Sequence, residues 1–430
     1  MATNNLQNNT TRQLLKKVTC PHCWEVFDLS EICWIARSDE LVGDILLGDE
    51  EHERFLPSRF DVDGNAIDRM GAVCHELACP RCHLKLPDSV LLMRPFFVSI
   101  VGAPASGKSY FLASMTYQML QTFPKKFFID VADADPLMNQ RLADYVSLQF
   151  MNDDRGSVVK INKTEEQGDL YNTTSNREGE RITYPQPFIF SLMPLPGHRY
   201  EEQRQMVATS LCLYDNAGES YLPKEGSSKQ PVTQHLGTSH CIFFLFDPLQ
   251  DHRLRELCRK VSNDPQLGEG NTADFRRSPF RQEQVLSEMI KRTRHLRNLD
   301  ATKKYQQQVI VIVTKADAWH QLVPDLPYRE KLWTRDPNTN RRTLYEQSIQ
   351  KVSQITRDFL NKHIPQIVSN VESFASNVTY IPVSATGGSP TVDKQTQVSG
   401  FKASGLNPAW VEIPLLYALA KSRQGIISIR

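Results

Sequence analysis

The 430-residue sequence carries 50 Lys and Arg against 49 Asp and Glu, with 40% hydrophobic residues and a formal net charge of +1. That balance excludes a bulk polybasic or polyacidic binding mode, and at roughly 100–200 residues per domain the length accommodates two to four domains. No apolar run approaches the ~18–20 residues of a bilayer span, and the start lacks an apolar h-region, so a soluble cytoplasmic protein without secretory export is expected.

Residues 1–19 are polar and read as a disordered tail. Cys20-Pro-His-Cys23 and Cys79-Pro-Arg-Cys82 follow as two Cys-x-x-Cys turns. Two such turns supply four thiolates, the donor set of a closed tetrahedral Zn²⁺ site. The gap between them is longer than the ~15–20 residues of a compact ribbon, so residues 20–92 read as a zinc-ribbon-like unit whose 33–74 stretch loops out as an insertion. Redox dithiols are the competing reading, and His22, Cys33, Cys74, His75 and His83 are spare ligand types nearby.

At residue 94 the texture changes. A buried-strand run over 95–101 leads into Gly102-Ala-Pro-Ala-Ser-Gly107-Lys108-Ser109, followed by a helical pattern over 109–121. The octapeptide fits Gly-x4-Gly-Lys-[Ser/Thr]. Glycines let backbone N–H groups curl around phosphates, and the helix start adds its dipole. Lys108 supplies a charge to the β/γ-phosphates, and the Ser109 hydroxyl is a hard ligand for Mg²⁺. Ala105, Ser106 and Tyr110 complete the expected phosphate-loop contacts.

Beyond it, strand patterns at 127–131, 188–193, 211–214, 241–246, 309–313 and 378–383 alternate with helical patterns at 282–299, 345–364 and 408–420. This alternation predicts an α/β fold with a mostly parallel sheet over residues 93–430, interrupted by polar insertions at 152–187, 252–280 and 322–342. The basic run Lys291–Arg297 reads as a solvated helix surface.

Two strand ends carry further chemistry. The 211–214 strand ends in Asp215-Asn-Ala-Gly218-Glu219, where Asp215 can reach a Mg²⁺ shell and the Gly218 N–H can approach a γ-phosphate. The 309–313 strand ends in Thr314-Lys315-Ala-Asp317. A buried carboxylate there accepts two bonds from guanine N1–H and N2–H₂, and a ligand lacking those donors leaves it unpaired. The Lys315 stem can cover the base, and Ser384-Ala385 after the next strand brings small residues toward the base oxygen. Asp247, after 241–246, is the rival ATPase-type carboxylate, but Pro248 follows it where an acid would be expected.

In this order the four elements resemble the G1, G3, G4 and G5 motifs of Ras-like, translation-factor-type GTPases. The resemblance implies a P-loop NTPase G domain binding GTP/GDP and Mg²⁺. It also implies a Thr on a mobile loop within 152–187 that closes on Mg²⁺; Thr164 is favoured over Thr173, Thr174 and Thr183. The pattern has Gln where this chain has Glu219, which points to slow hydrolysis or an arginine from elsewhere, with Arg181, Arg199 and Arg204 as candidates. The cysteine ribbon leading into the phosphate loop is similar to the zinc-ribbon G domains of bacterial conflict-system GTPases, including the double-GTPase group. That likeness implies a protein partner or a second GTPase, and the net charge of +1 makes nucleic acid an unlikely ligand. A GTP-binding adaptor with little hydrolysis and a nucleic-acid-associated ATPase are the alternatives.

Overall fold

The computed structural model describes residues 14–152, 156, 158–161, 171–175, 179–216, 218–221, 231–268, 282–392 and 399–430. Its N-terminal unit is built on the two cysteine turns. Strands β1 (Lys17–Thr19) and β2 (Val26–Asp28) pair antiparallel around the first turn. Among β3 (Cys33–Ile35), β4 (Arg54–Phe55), β5 (Leu77–Ala78) and β6 (Lys85–Leu86), the last two pair antiparallel around the second turn. The order β6-β5-β3-β4 places Cys33–Ile35 directly against Leu77–Ala78. The 33–74 stretch is therefore partly woven into the ribbon sheet instead of wholly looped out. Asp68, fully buried, organises the remainder by accepting from the backbone N–H groups of Arg37, Ser38, Met70 and Ala72.

The larger unit is a seven-stranded mixed sheet. In chain order its strands are β7 (Arg94–Gly102), β8 (Ile129–Asp133), β12 (Phe188–Pro194), β13 (Thr209–Asp215), β14 (Cys241–Phe246), β15 (Tyr305–Val313) and β18 (Ala375–Pro382). They lie side by side as β8-β12-β13-β7-β14-β15-β18. The four pairs from β13 to β18 are parallel, while β12 runs antiparallel to both its neighbours. Strands such as Cys-Ile-Phe-Phe-Leu-Phe at 241–246 are buried at every residue, which is why they read as unbroken apolar runs.

The principal helices are α1 (Lys108–Thr122), α2 (Pro136–Phe150), α3 (His252–Cys258), α4 (Gln282–Leu296), α5 (Glu346–His363), α6 (Pro365–Phe374) and α7 (Ile413–Ala420). Their apolar faces and the sheet form one continuous core. The last helix starts five residues later than the 408–420 pattern implies. Residues 407–409 are extended instead, with Ala409 N–H and Ser384 N–H exchanging bonds with each other's carbonyls, and Trp410 takes a left-handed φ of 57°. Pro414 then fits the first turn.

The three polar stretches also hold regular structure. The first contains β9 (Val158–Val159) and a hairpin of β10 (Tyr171–Ser175) with β11 (Arg181–Pro185). The second carries α3, and the third a hairpin of β16 (Trp333–Arg335) with β17 (Arg342–Leu344). Finally β9 pairs with β20 (Ser399–Lys402), which pairs with β19 (Thr391–Val392). This small sheet joins the first polar stretch to the segment after Ser384-Ala385-Thr386. No helix among the described residues is long and apolar enough to cross a membrane.

Candidate nucleotide and metal sites

Parallel strands place their carboxyl ends on one edge of a sheet, where ligands of open α/β folds bind. Here β7 runs into the phosphate loop and α1 starts at Lys108. Ala105 and Gly107 take left-handed φ values of 59° and 91°, the backbone reversal that turns successive N–H groups inward. Lys108 is nearly buried and donates to the carbonyls of Gly102 (2.9 Å) and Ala103 (3.2 Å).

The β7–β13 register pairs Ile100 with Asp215, so the buried Asp215 ends its strand beside the start of the loop. A Cβ on Gly218 would stand 2.6 Å from the Pro104 nitrogen, so only glycine lets this segment lie on the phosphate loop. Asp215 and the Ser109 hydroxyl are hard oxygen donors at adjoining strand and helix ends, a donor set that fits Mg²⁺. Thr164 lies outside the described residues, as does the Glu219 side chain.

On the base side, Thr314 donates to the Ser106 carbonyl at 3.2 Å and so ties β15 to the phosphate loop. Lys315 has a left-handed φ of 55°, and its ammonium meets the fully buried Asp247 carboxylate at 2.5 Å and the Gln266 side-chain carbonyl. Asp247, the rival ATPase carboxylate, is thus turned toward Lys315 and the Leu249 N–H. The Ser384 hydroxyl donates to Asp317 and accepts from the Gly387 N–H at 2.8 Å. Ser384 therefore braces Asp317, while Ala385 is fixed by the Ser114 hydroxyl on α1 (2.6 Å to its carbonyl).

One cavity of about 590 Å³ collects these residues. Ala105, Gly107, Lys108, Ser109, Tyr110, Gly218, Thr314, Lys315, Asp317 and Ala385 all line it. Gly102, Ser106, Asp215 and Ser384 are buried and are not among its lining residues. Thr386, which follows the Ser384-Ala385 pair, lines it too, and sequence reasoning missed Lys160, Asp264, Gln266 and Phe401. Phe401 meets Tyr110 edge-on at 5.3 Å, and the Tyr110 hydroxyl accepts from the Ile161 N–H at 3.1 Å. Burial pushes the Asp264 carboxyl above its ordinary range. The arginine candidates lie elsewhere: Arg199 donates to the Gly425 carbonyl, Arg204 lines a cleft between the two units, and Arg181 opens β11. That cleft, about 1220 Å³, shares no residue with the cavity beside the Gly102–Ser109 loop.

Arg292 departs from the solvated surface expected of its basic run. It is wholly buried, pairs with Glu288 at 2.8 Å and donates to the Ser220 carbonyl at 2.6 Å.

The cysteine cluster passes a geometric test for zinc. Cys20, Cys23, Cys79 and Cys82 bring their sulfurs within 4.8 Å of one another, with Cys20–Cys82 at 3.8 Å and Cys23–Cys79 at 3.7 Å. A tetrahedron with metal–sulfur bonds of about 2.3 Å has edges of about 3.8 Å. The His22 and Arg81 N–H groups each point at a cysteine sulfur from 3.3 Å, and Trp24 and His83, following each turn, take matching φ values of 61° and 62°. Four of the five spare ligands are engaged otherwise: His22 with the Lys85 carbonyl, His83 with Asp44, Cys33 with the Glu31 carbonyl and Cys74 with the Ala72 carbonyl.

No known protein-family profile and no curated protein matches the chain. Among solved structures it is similar to Era, crystallised in complex with MgGDPNP and nucleotides 1506–1542 of 16S ribosomal RNA. The match has 13% identity and a TM-score of 0.24, and covers 69% of this chain and 53% of that one, so it spans about half of Era's length.

Proposed function

We propose that this chain is a Mg²⁺-dependent guanine-nucleotide switch that binds GTP and hydrolyses it slowly or on activation. The observation that carries this reading is the shared cavity: the Gly102–Ser109 loop and Asp317, braced by Ser384, line the same space together with Lys315. A carboxylate so held fits the paired N–H donors of guanine. Lys108 and the N-terminus of α1 take the phosphates, Ser109, Asp215 and Thr164 serve the Mg²⁺, and Gly218 meets the γ-phosphate. Bound Mg²⁺ would neutralise charge on the transferring phosphoryl.

Competition binding with Mg²⁺ tests it: unlabelled GTP and GDP displace a fluorescent guanine nucleotide, and ATP does so only at ~100-fold higher concentration. Equal displacement by ATP defeats the reading and revives the ATPase alternative. Asp317→Asn should transfer preference toward xanthine nucleotides.

Glu219 motivates a second reading, a GTP-loaded adaptor with negligible turnover, because a glutamate cannot donate to the transferring phosphoryl. Single-turnover phosphate release that vanishes in Lys108→Ala favours the switch; no Lys108-dependent release favours the adaptor. We further propose that the switch works in a multi-component bacterial system through a protein partner, on the strength of the ribbon-plus-G-motif resemblance alone.

A further inference from the structure

Trp24, the residue after the first cysteine turn, is nearly buried in a cluster with Phe97, Ile189, Cys212 and Tyr214 of the central sheet. Its indole N–H donates to the Tyr214 hydroxyl at 3.0 Å, and that hydroxyl donates to the Pro21 carbonyl at 2.6 Å. The turn therefore grips the residue immediately before Asp215. The Trp24 ring also meets Tyr184 edge-on at 5.9 Å. Tyr184 sits on β11 of the hairpin that follows the segment containing Thr164. A second fastening, from the Ser175 N–H to the Leu46 carbonyl (2.7 Å), holds the same hairpin to the cysteine unit.

Tyr214 also stacks on His235, with centroids 4.9 Å apart and planes 9° from parallel. Burial holds His235 neutral, pushing its pKa down to about 3. Its Nε2 then accepts from the Asn216 amide at 2.9 Å, which leaves Nδ1–H to donate to the Ser99 hydroxyl. The second Asn216 amide hydrogen goes to the Val232 carbonyl at 2.7 Å. Tyr214, Asn216, Gly218 and Ser220 are thus held in turn by the cysteine turn, His235, the phosphate loop and Arg292.

We propose that the Cys20–Cys23 turn, through Trp24, is a positioning element for the segment of the nucleotide site that begins at Asp215. It holds the Asp215–Gly218 segment in the arrangement that receives a triphosphate, and phosphoryl state is transmitted back to the cysteine unit by the same contacts. The inference rests on the guanine-nucleotide reading above. Its physical basis is that Tyr214 and Asp215 share a planar peptide, so displacing Asp215 displaces a hydroxyl whose two bonds weaken steeply with distance and angle. Coupling of this kind is reciprocal.

The test measures GDP and non-hydrolysable GTP-analogue affinities, with Mg²⁺, for the full chain and for Tyr214→Phe and Trp24→Phe, alongside zinc content. Loss of one such hydrogen bond should lower the analogue-to-GDP affinity ratio about 5- to 10-fold with zinc retained and GDP affinity within about twofold of native. A purely structural role would weaken both nucleotides alike, and that outcome, or an unchanged ratio, overturns the inference while leaving the guanine reading intact. A native chain that binds no guanine nucleotide removes the reading itself and the inference with it.

Discussion

Lys315 sets its ammonium 2.5 Å from the carboxylate of Asp247, joining the ends of two neighbouring parallel strands at the edge of the cavity it lines. Asp247 is fully buried, and its remaining carboxylate oxygen is taken by the Leu249 N–H. Removing one partner of a buried pair leaves an uncompensated charge. Because the Lys315 side chain is 23% exposed, the expected cost of Asp247→Ala is on the order of 2 kcal/mol, below the ~3–5 kcal/mol of a fully enclosed pair. Urea denaturation checks it. Lys315→Met in the Asp247→Ala background should restore part of the loss, and strict additivity of the two changes would contradict a direct pairing.

A buried histidine, His235, and a half-buried one, His240, make acid the sensitive direction. Burial pushes His235 down to about 3 and His240 to about 4 from an ordinary 6.5, and both are neutral in the folded chain. The unfolded chain takes up protons at higher pH than the folded one does. Stability contributed by the neutral rings is therefore complete above pH 6.5 and falls as pH drops toward 4. Each histidine steepens that fall by about 1.4 kcal/mol per pH unit. Thermal unfolding scanned from pH 7.5 to 4.5 should show it. His240→Gln should flatten the slope, and an unchanged slope would mean that His240 is protonated in the folded state.

The parts of the site carried by strand ends are legible in the sequence. Buried parallel strands read as apolar runs, and the chemistry sits in the few residues that follow them, as at Gly102–Ser109, Asp215 and Asp317. What escapes is brought in from a distance. Gln266 lies in a polar stretch with no motif, and its side chain meets Lys315 from 49 residues away in the sequence. Phe401 reaches the cavity because β20 pairs with β9, a contact between segments far apart in sequence and each too short to show a period. Arg292 is a different case. It falls seven residues after Val285 and three after Met289, on the apolar face of α4, so the helical period already argues for burial against its basic neighbours. The ribbon likewise looks as if its long gap is looped out, because a two-residue strand such as Leu77–Ala78 leaves no pattern that would call Cys33–Ile35 to its side.

Phe401 supplies an aromatic ring to the cavity that Lys315 and Asp317 also line, and Tyr110 supports it edge-on. An aromatic face against a base contributes about 1–3 kcal/mol whatever the base. Phe401→Ala should therefore weaken GDP and GTP-analogue binding together, by about 10-fold, with Phe401→Tyr close to native. This differs from the outcome expected for Trp24→Phe, where the ratio of the two affinities moves. Calorimetric titration of both nucleotides separates them, and native affinity in Phe401→Ala would place the base elsewhere.

The four sulfurs predict one equivalent of zinc per chain. Purified protein with less than about half an equivalent, measured by mass spectrometry of the metal, would remove the site. Cys79→Ser should abolish metal retention and open the small core of Val18, Phe27, Leu77 and Leu86 to protease, because that cluster packs around the cysteines themselves. The central sheet has its own continuous core, so nucleotide binding should be weakened and not lost.

Gly218 provides the most local test of how the γ-phosphate side is built. An added Cβ would lie 2.6 Å from the Pro104 nitrogen, 2.7 Å from its Cδ and 2.8 Å from the Ala103 carbonyl carbon. Two of these are backbone atoms of the phosphate loop, and the third belongs to a rigid ring, so no side chain can swing aside to make room. Either the loop or the 218–221 turn must move. Overpacking of this kind costs about 1–3 kcal/mol, and the displacement falls between the phosphate loop and the segment beside Asp215. Gly218→Ala should therefore lose GTP-analogue affinity by about 10- to 100-fold and lose less for GDP, which makes no demand on the γ-phosphate position. Gly405→Ala is the control, since a Cβ there meets nothing within 4 Å. Equal losses for the two nucleotides in Gly218→Ala would show the glycine to matter for the loop's shape alone and not for a γ-phosphate contact.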